Sequence, residues 1–134
     1  MELFVIRTAD RYLGLKPSCI YRVVEDLKIT PVPLSRSCHI GLTYYRGELF
    51  DVIDGDLLFS EKEEGGSASG RLILLKWKGR KMGLVFDEII GLVWLKNEDD
   101  GKEEYVLKDY SARLIEPETL WEKVTSFSDG PYKV

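Results

Sequence analysis

The chain has 134 residues, 44% of them hydrophobic, and a formal net charge of −4 from 23 acidic and 19 basic side chains. That length fits one domain, or two very small lobes sharing a core, and it buries roughly two-thirds of the surface it exposes when unfolded. Net acidity without any run of five basic residues argues against nucleic-acid binding, which needs a basic patch or stripe.

Cys19 and Cys38 are far apart, form no CxxC and lack the dense framework of small secreted domains. A reduced pair in a cytosolic protein is expected. The N-terminus, MELFVIRTADRYLGL, opens directly on strand alternation, without the pattern of a secretory signal. Apolar runs fall far short of the roughly 18 residues of a membrane span. The chain therefore reads as soluble and cytoplasmic, with no direct membrane insertion.

Two short strands, Leu3–Arg7 and Arg11–Leu15, come first, and Pro17-Ser18 interrupts the pattern. Ile20–Val24 is extended, and the prolines of ITPVP hold that segment extended too, because a residue before proline avoids helical geometry. Ile40–Tyr45 and Leu49–Ile53 form a hairpin around Arg46-Gly47-Glu48, and Gly55–Phe59 fits one helical turn. Residues 61–70, EKEEGGSASG, read as a flexible surface loop or a link between lobes. Beyond them, Leu72–Trp77, Met82–Phe86 and Ile89–Leu95 are strands, the first two joined by a turn at Lys78-Gly79. Tyr105–Lys108 and Ala112–Ile115 add two more, and Pro117 opens a short helix over Glu118–Val124. Many short strands predict an all-β barrel or sandwich. The echo between the two Arg/Lys-Gly hairpins favours two small barrels, one hairpin in each.

The residues offer little for catalysis. His39 is the sole histidine, and on a strand its neighbour Cys38 points to the other face. One His and two separated Cys do not make a structural zinc site. Asp51, Asp54 and Asp56 are the tightest carboxylate cluster, and a small hydrolase or metal-dependent enzyme would be built there. The structural alternative puts Asp51 on an outer strand face and Asp54 as the cap of the next turn. Asp87 presents the same choice. The Gly/Ser stretch lacks the Gly-Lys-Ser/Thr of a phosphate loop, so no cofactor is expected.

Arg46 stands apart, at a hairpin end between Tyr45 and Gly47, and arginine is enriched at protein–protein hot spots. At these residues the sequence resembles the CheW family of bacterial chemotaxis coupling proteins. The family pattern of Gly, four residues, Arg-Gly, three residues and Pro-Val-x-Asp-Leu is matched by Gly41-Leu-Thr-Tyr-Tyr-Arg46-Gly47-Glu-Leu-Phe-Asp51-Val52-Ile53-Asp54-Gly55. Ile29-Thr30-Pro31-Val32-Pro33 resembles the upstream step. Gly83-Leu84-Val85-Phe86-Asp87-Glu88-Ile89-Ile90-Gly91 resembles the downstream one, and Arg113–Leu120 the closing strand and helix. Asp51 replaces the family's proline, Gly55 its leucine, and the connection from Leu95 to Leu114 is shorter than usual.

The resemblance implies two five-stranded barrels side by side with an apolar groove between them, a short C-terminal helix and a trimmed second lobe. It implies an adaptor without catalysis that joins the cytoplasmic tip of a chemoreceptor to the regulatory domain of a CheA-type histidine kinase. The partner-binding residues expected are Ile20, Val23, Arg46 and Gly47 from the first lobe and Leu84 and Val85 from the second. The alternative is a divergent member that binds one of these partners or serves another pathway. Calorimetric titration with Zn²⁺, Ca²⁺ and ATP should show no sub-micromolar site; a stoichiometric one would refute the adaptor reading.

Overall fold

A computed structural model describes residues 1–31, 38–59, 71–95 and 104–127. In chain order the elements are β1 (Glu2–Thr8), β2 (Arg11–Leu15), a 3-10 turn (Pro17–Cys19), β3 (Ile20–Glu25), β4 (His39–Tyr45), β5 (Glu48–Asp54) and α1 (Gly55–Phe59). Then come β6 (Arg71–Trp77), β7 (Arg80–Val85), β8 (Glu88–Trp94), β9 (Glu104–Val106), β10 (Ser111–Leu114) and α2 (Pro117–Phe127). Two five-stranded sheets result. A terminal sheet has the order β8-β1-β2-β10-β9, and a central sheet the order β3-β6-β7-β5-β4.

The lobes do not follow the chain in the way the hairpin echo implied. Both Arg46-Gly47 and Lys78-Gly79 belong to the central sheet, where β5 and β7 lie parallel with Asp51 opposite Met82. A hairpin motif specifies its own two strands and leaves open which third strand lies beside them. Each turn has two residues with positive φ, +51° and +80° at Arg46-Gly47 and +45° and +79° at Lys78-Gly79, so Glu48 belongs to β5. Residues 61–70 lie outside the described residues. They connect α1 to β6, whereas the chain crosses between sheets at Pro17–Cys19 and at Phe86-Asp87. Among the described residues, the three-residue β9 and the four-residue β10 bring the terminal sheet to five strands. Cys19, half-buried, and Cys38, buried, are not joined by a disulfide.

Strand alternation builds three clusters from two sheets. On β6, Leu72 and Leu74 point into the central sheet's own interior with Phe50, Val52 and Val85. Ile73 and Leu75 point the other way, into a core shared with Ile6, Leu13 and Leu15 of the terminal sheet. Leu3 and Val5 of β1 fill the terminal sheet's interior with Tyr105 and Ala112. The shared core is closed by Leu120 and Val124 of α2, one face of an amphipathic helix. A strand buried on both faces reads as a continuous apolar run, which is why β6 is Leu-Ile-Leu-Leu.

The central sheet's two edges, β3 and β4, are tied by a bridge just past β3. Thr30 and Leu42 exchange two backbone hydrogen bonds of 2.8 Å. This is what a closed barrel requires, and it explains the motif glycine at 41. A methyl group there would collide with the Thr30 carbonyl. Gly41→Ala should therefore destabilise the fold by about 1–3 kcal/mol, read as a lower urea midpoint; an unchanged midpoint would show that the bridge yields without cost.

Polar contacts join the sheets at one end. Asp56 Oδ1 accepts hydrogen bonds from the Thr8 hydroxyl (3.1 Å) and the Ala9 N–H (2.8 Å), linking α1 to the β1–β2 turn. The same N–H lies 3.3 Å from Asp87 Oδ2. Gly55 fits here because a Cβ would stand 2.6 Å from both Thr8 Oγ1 and the Val85 carbonyl oxygen. Asp54 caps α1, accepting from the Asp56 N–H at 2.9 Å. Burial raises the Asp54 pKa, and burial with the neighbouring Asp56 charge raises that of Asp87. Both carboxyls then hold a proton to higher pH folded than unfolded. Stability rises as pH falls from the raised value toward the ordinary aspartate value, and above that window the full charge penalty is present. Asp87→Asn should raise the urea midpoint at neutral pH and flatten the gain on acidification. A lower midpoint at neutral pH would show that the Arg7 guanidinium, 3.9 Å from Asp87, outweighs the repulsion.

Candidate partner-binding groove

Ile20 and Val23 lie on β3, an edge of the central sheet. They stand opposite Leu75 and Ile73, whose side chains enter the shared core, so both face that core and remain half-buried at its margin. Leu84 and Val85 do not join them. Leu84 is 0% exposed in the shared core, and Val85 is 4% exposed inside the central sheet. β7 has a strand on either side and packing on both faces, so neither side chain is presented to a partner. Arg46 and Gly47 are exposed at the tip of the β4–β5 hairpin, at the other edge of the sheet order from β3. Among the described residues Arg46 has no carboxylate partner. Its guanidinium stands over the Tyr45 ring, 5.4 Å from the centroid.

β8 is an edge of the terminal sheet and, among the described residues, pairs with β1. Leu92 stands opposite Phe4, and directly opposed residues share a face. Phe4 borders the shared core, as do Ile20 and Val23. The β8 side chains therefore continue the face that the two sheets bury between them, past the point where the central sheet covers it. Ile90 is the extra residue of a β-bulge, since Val5 opposes Gly91 and Ile6 opposes Ile89. Exposure rises along the stripe away from the polar junction, 37% at Ile90, 62% at Leu92 and 76% at Trp94. The signal in the sequence was the i, i+2 spacing of Ile90, Leu92 and Trp94. It is indistinguishable from a core-facing stripe until the neighbouring sheet is placed.

The carboxylates expected to compete for a catalytic role are engaged in structural contacts. Asp54, Asp56 and Asp87 are taken up by the inter-sheet junction. Asp51 lies on β5 with its Oδ1 3.2 Å from His39 Nε2 on β4. No group of three or more His, Cys, Asp or Glu among the described residues is placed to hold a metal ion. Among the described residues, no helix is long and apolar enough to cross a membrane. What these residues offer chemically is an exposed apolar stripe on one edge strand, a half-buried apolar margin on another and an arginine at a hairpin tip. These suit recognition of another protein.

The CheW-like domain family matches residues 2–125. FrzA of Myxococcus xanthus is 30% identical over 91 residues, covering 68% of this chain and 57% of FrzA, so the chain spans little more than half of that relative. The crystal structure of the scaffolding protein TtCheW from Thermoanaerobacter tengcongensis aligns over 90% of this chain and 92% of its own, with a TM-score of 0.78 and 22% identity. That likeness establishes the two-lobed β fold. With the family match spanning nearly the whole sequence, the chain belongs to the CheW-like domain family.

Proposed function

We propose that the chain is a cytoplasmic adaptor that couples a chemoreceptor to a CheA-type histidine kinase without catalysis of its own. The reading rests on the exposed Ile90, Leu92 and Trp94 of β8 and on the half-buried Ile20 and Val23 at the margin of the shared core, and we read the space between these two edge strands as a groove. An amphipathic receptor helix lays its apolar face into such a channel. The hairpin tip, with Arg46 and Gly47, supplies a second receptor contact. The kinase regulatory domain takes the barrel edges away from the groove. Coupling is then a population shift, in which the receptor state that fits the groove better biases the kinase bound to the same body.

Calorimetric titration of a receptor cytoplasmic fragment tests the groove. Leu92→Glu and Trp94→Ala should each weaken binding by about 2 kcal/mol. Stability should stay within about ±0.5 kcal/mol, because both side chains are exposed. Wild-type affinity in both variants would refute the groove.

Arg46→Ala should also cost about 2 kcal/mol of receptor binding with an unchanged melt. Wild-type receptor affinity would remove the tip from the receptor site. Receptor binding with no measurable kinase binding would select the one-partner alternative.

A further inference from the structure

A second recognition surface lies on the central sheet, on the same face as the shared core but at the other end of the strands from the junction. Tyr44 of β4 stands opposite Leu49 of β5, and Arg80 of β7 opposite Trp77 of β6. The parallel register of β5 and β7, with Asp51 opposite Met82, puts Leu49 beside Arg80 two residues earlier. Tyr44, Leu49, Arg80 and Trp77 thus form one row across four strands. Trp121 of α2 stands over its end, with the Arg80 guanidinium 5.3 Å from the ring centroid. Leu49, Trp77, Arg80 and Trp121, with Asp51 and Lys81, line a cleft of about 310 Å³, within the size range of sites that take small ligands or side chains. Tyr44 is 69% exposed and Leu49 41%.

The charges at this end run against the rest of the chain. Arg46, Lys76, Lys78, Arg80 and Lys81 gather there with Glu48, Asp51 and Glu118, an excess of two positive charges on a chain of net charge −4. The lysines are already committed. Lys76 and Lys81 pair with Glu48 at 2.6 and 3.4 Å, and Lys78 pairs with Glu118 at 2.7 Å. Asp51 faces His39. Arg80, inside the cleft, has no carboxylate partner among the described residues.

We propose that this cleft docks an acidic peptide segment of a partner protein. One carboxylate pairs with the Arg80 guanidinium, and an adjacent aromatic or aliphatic side chain packs between Leu49, Trp77 and Trp121. An unpaired guanidinium held on an indole is pre-organised for a bidentate carboxylate. A polyanionic surface would instead need several uncommitted cations, and the lysines here are paired. The cleft is separate from the β8–β3 groove and is occupied independently of it.

Selection of random 12-residue peptides displayed on phage, against the immobilised full chain, tests the proposal. The enriched sequences should carry Asp or Glu next to Phe, Leu or Trp. Fluorescence anisotropy of the best of them, fluorescein-labelled, should show binding that weakens with added NaCl. Arg80→Glu should lower the affinity by about tenfold or more, Arg80→Lys should retain part of it, and Leu92→Glu should leave it unchanged. Arg80→Lys keeps the test decisive if Arg80→Glu melts early. Absence of enrichment, enrichment without acidic residues, or full affinity in a folded Arg80→Glu variant would overturn the proposal. So would Arg80-dependent self-association in sedimentation, or Arg80-dependent binding to phosphatidylserine vesicles in place of peptide.

Discussion

A single shared core holds the two sheets together, and most of the structure depends on it. Ile6, Leu13 and Leu15 approach from one sheet, Ile53, Ile73, Leu75, Met82 and Leu84 from the other, and α2 seals the side with Leu120 and Val124. Burying each such aliphatic side chain is worth about 1.5–3 kcal/mol, and neither sheet could hide this face alone. The middles of the strands that make the core, β6 and β7 above all, are covered on both faces, and only their ends at Trp77 and Arg80 reach the surface. The motif residues Leu84 and Val85 are therefore architecture, however prominent they are in the sequence.

Recognition is left to the places where that core runs out. β8 is an edge of the terminal sheet whose Leu92 and Trp94 stay exposed, and β3 is an edge of the central sheet whose Ile20 and Val23 border the shared core. The groove is thus an unfinished part of the interior, with apolar walls held by the same packing that stabilises the fold. Walls of this kind need little rearrangement to receive a helix, which saves ordering cost on binding. The row from Tyr44 to Trp77 arises in the same way at the other end of the central sheet, where Trp121 rather than a strand borders the exposed face.

The junction at Thr8, Gly55, Asp56 and Asp87 sits at the closed end of the groove, and the stripe becomes more exposed with distance from it. Carboxylates that resemble a metal or acid–base cluster in the sequence serve here to accept backbone and hydroxyl hydrogen bonds between sheets. Burial raises the pKa of Asp54 and Asp87, and the neighbouring Asp56 charge adds to the rise. Gly55 replaces a leucine of the family pattern at the point where a Cβ would stand against Thr8 and Val85.

The sequence by itself determined the elements. The strands from β1 to β10 lie within one to three residues of where alternation and turn residues put them, and Asp54 caps the helix that its position before Gly55-Asp56 implied. These are local matters, settled by neighbours within a few positions along the chain. Only the tertiary structure decided that both Arg/Lys-Gly hairpins share one sheet, because strand adjacency between distant segments leaves no mark on either hairpin. It also decided that Leu84 and Val85 are buried while Leu92 and Trp94 are not. All four sit in apolar strands, and what separates them is whether the fold covers the face they present, by the other sheet for Leu84 and by the central sheet's own interior for Val85.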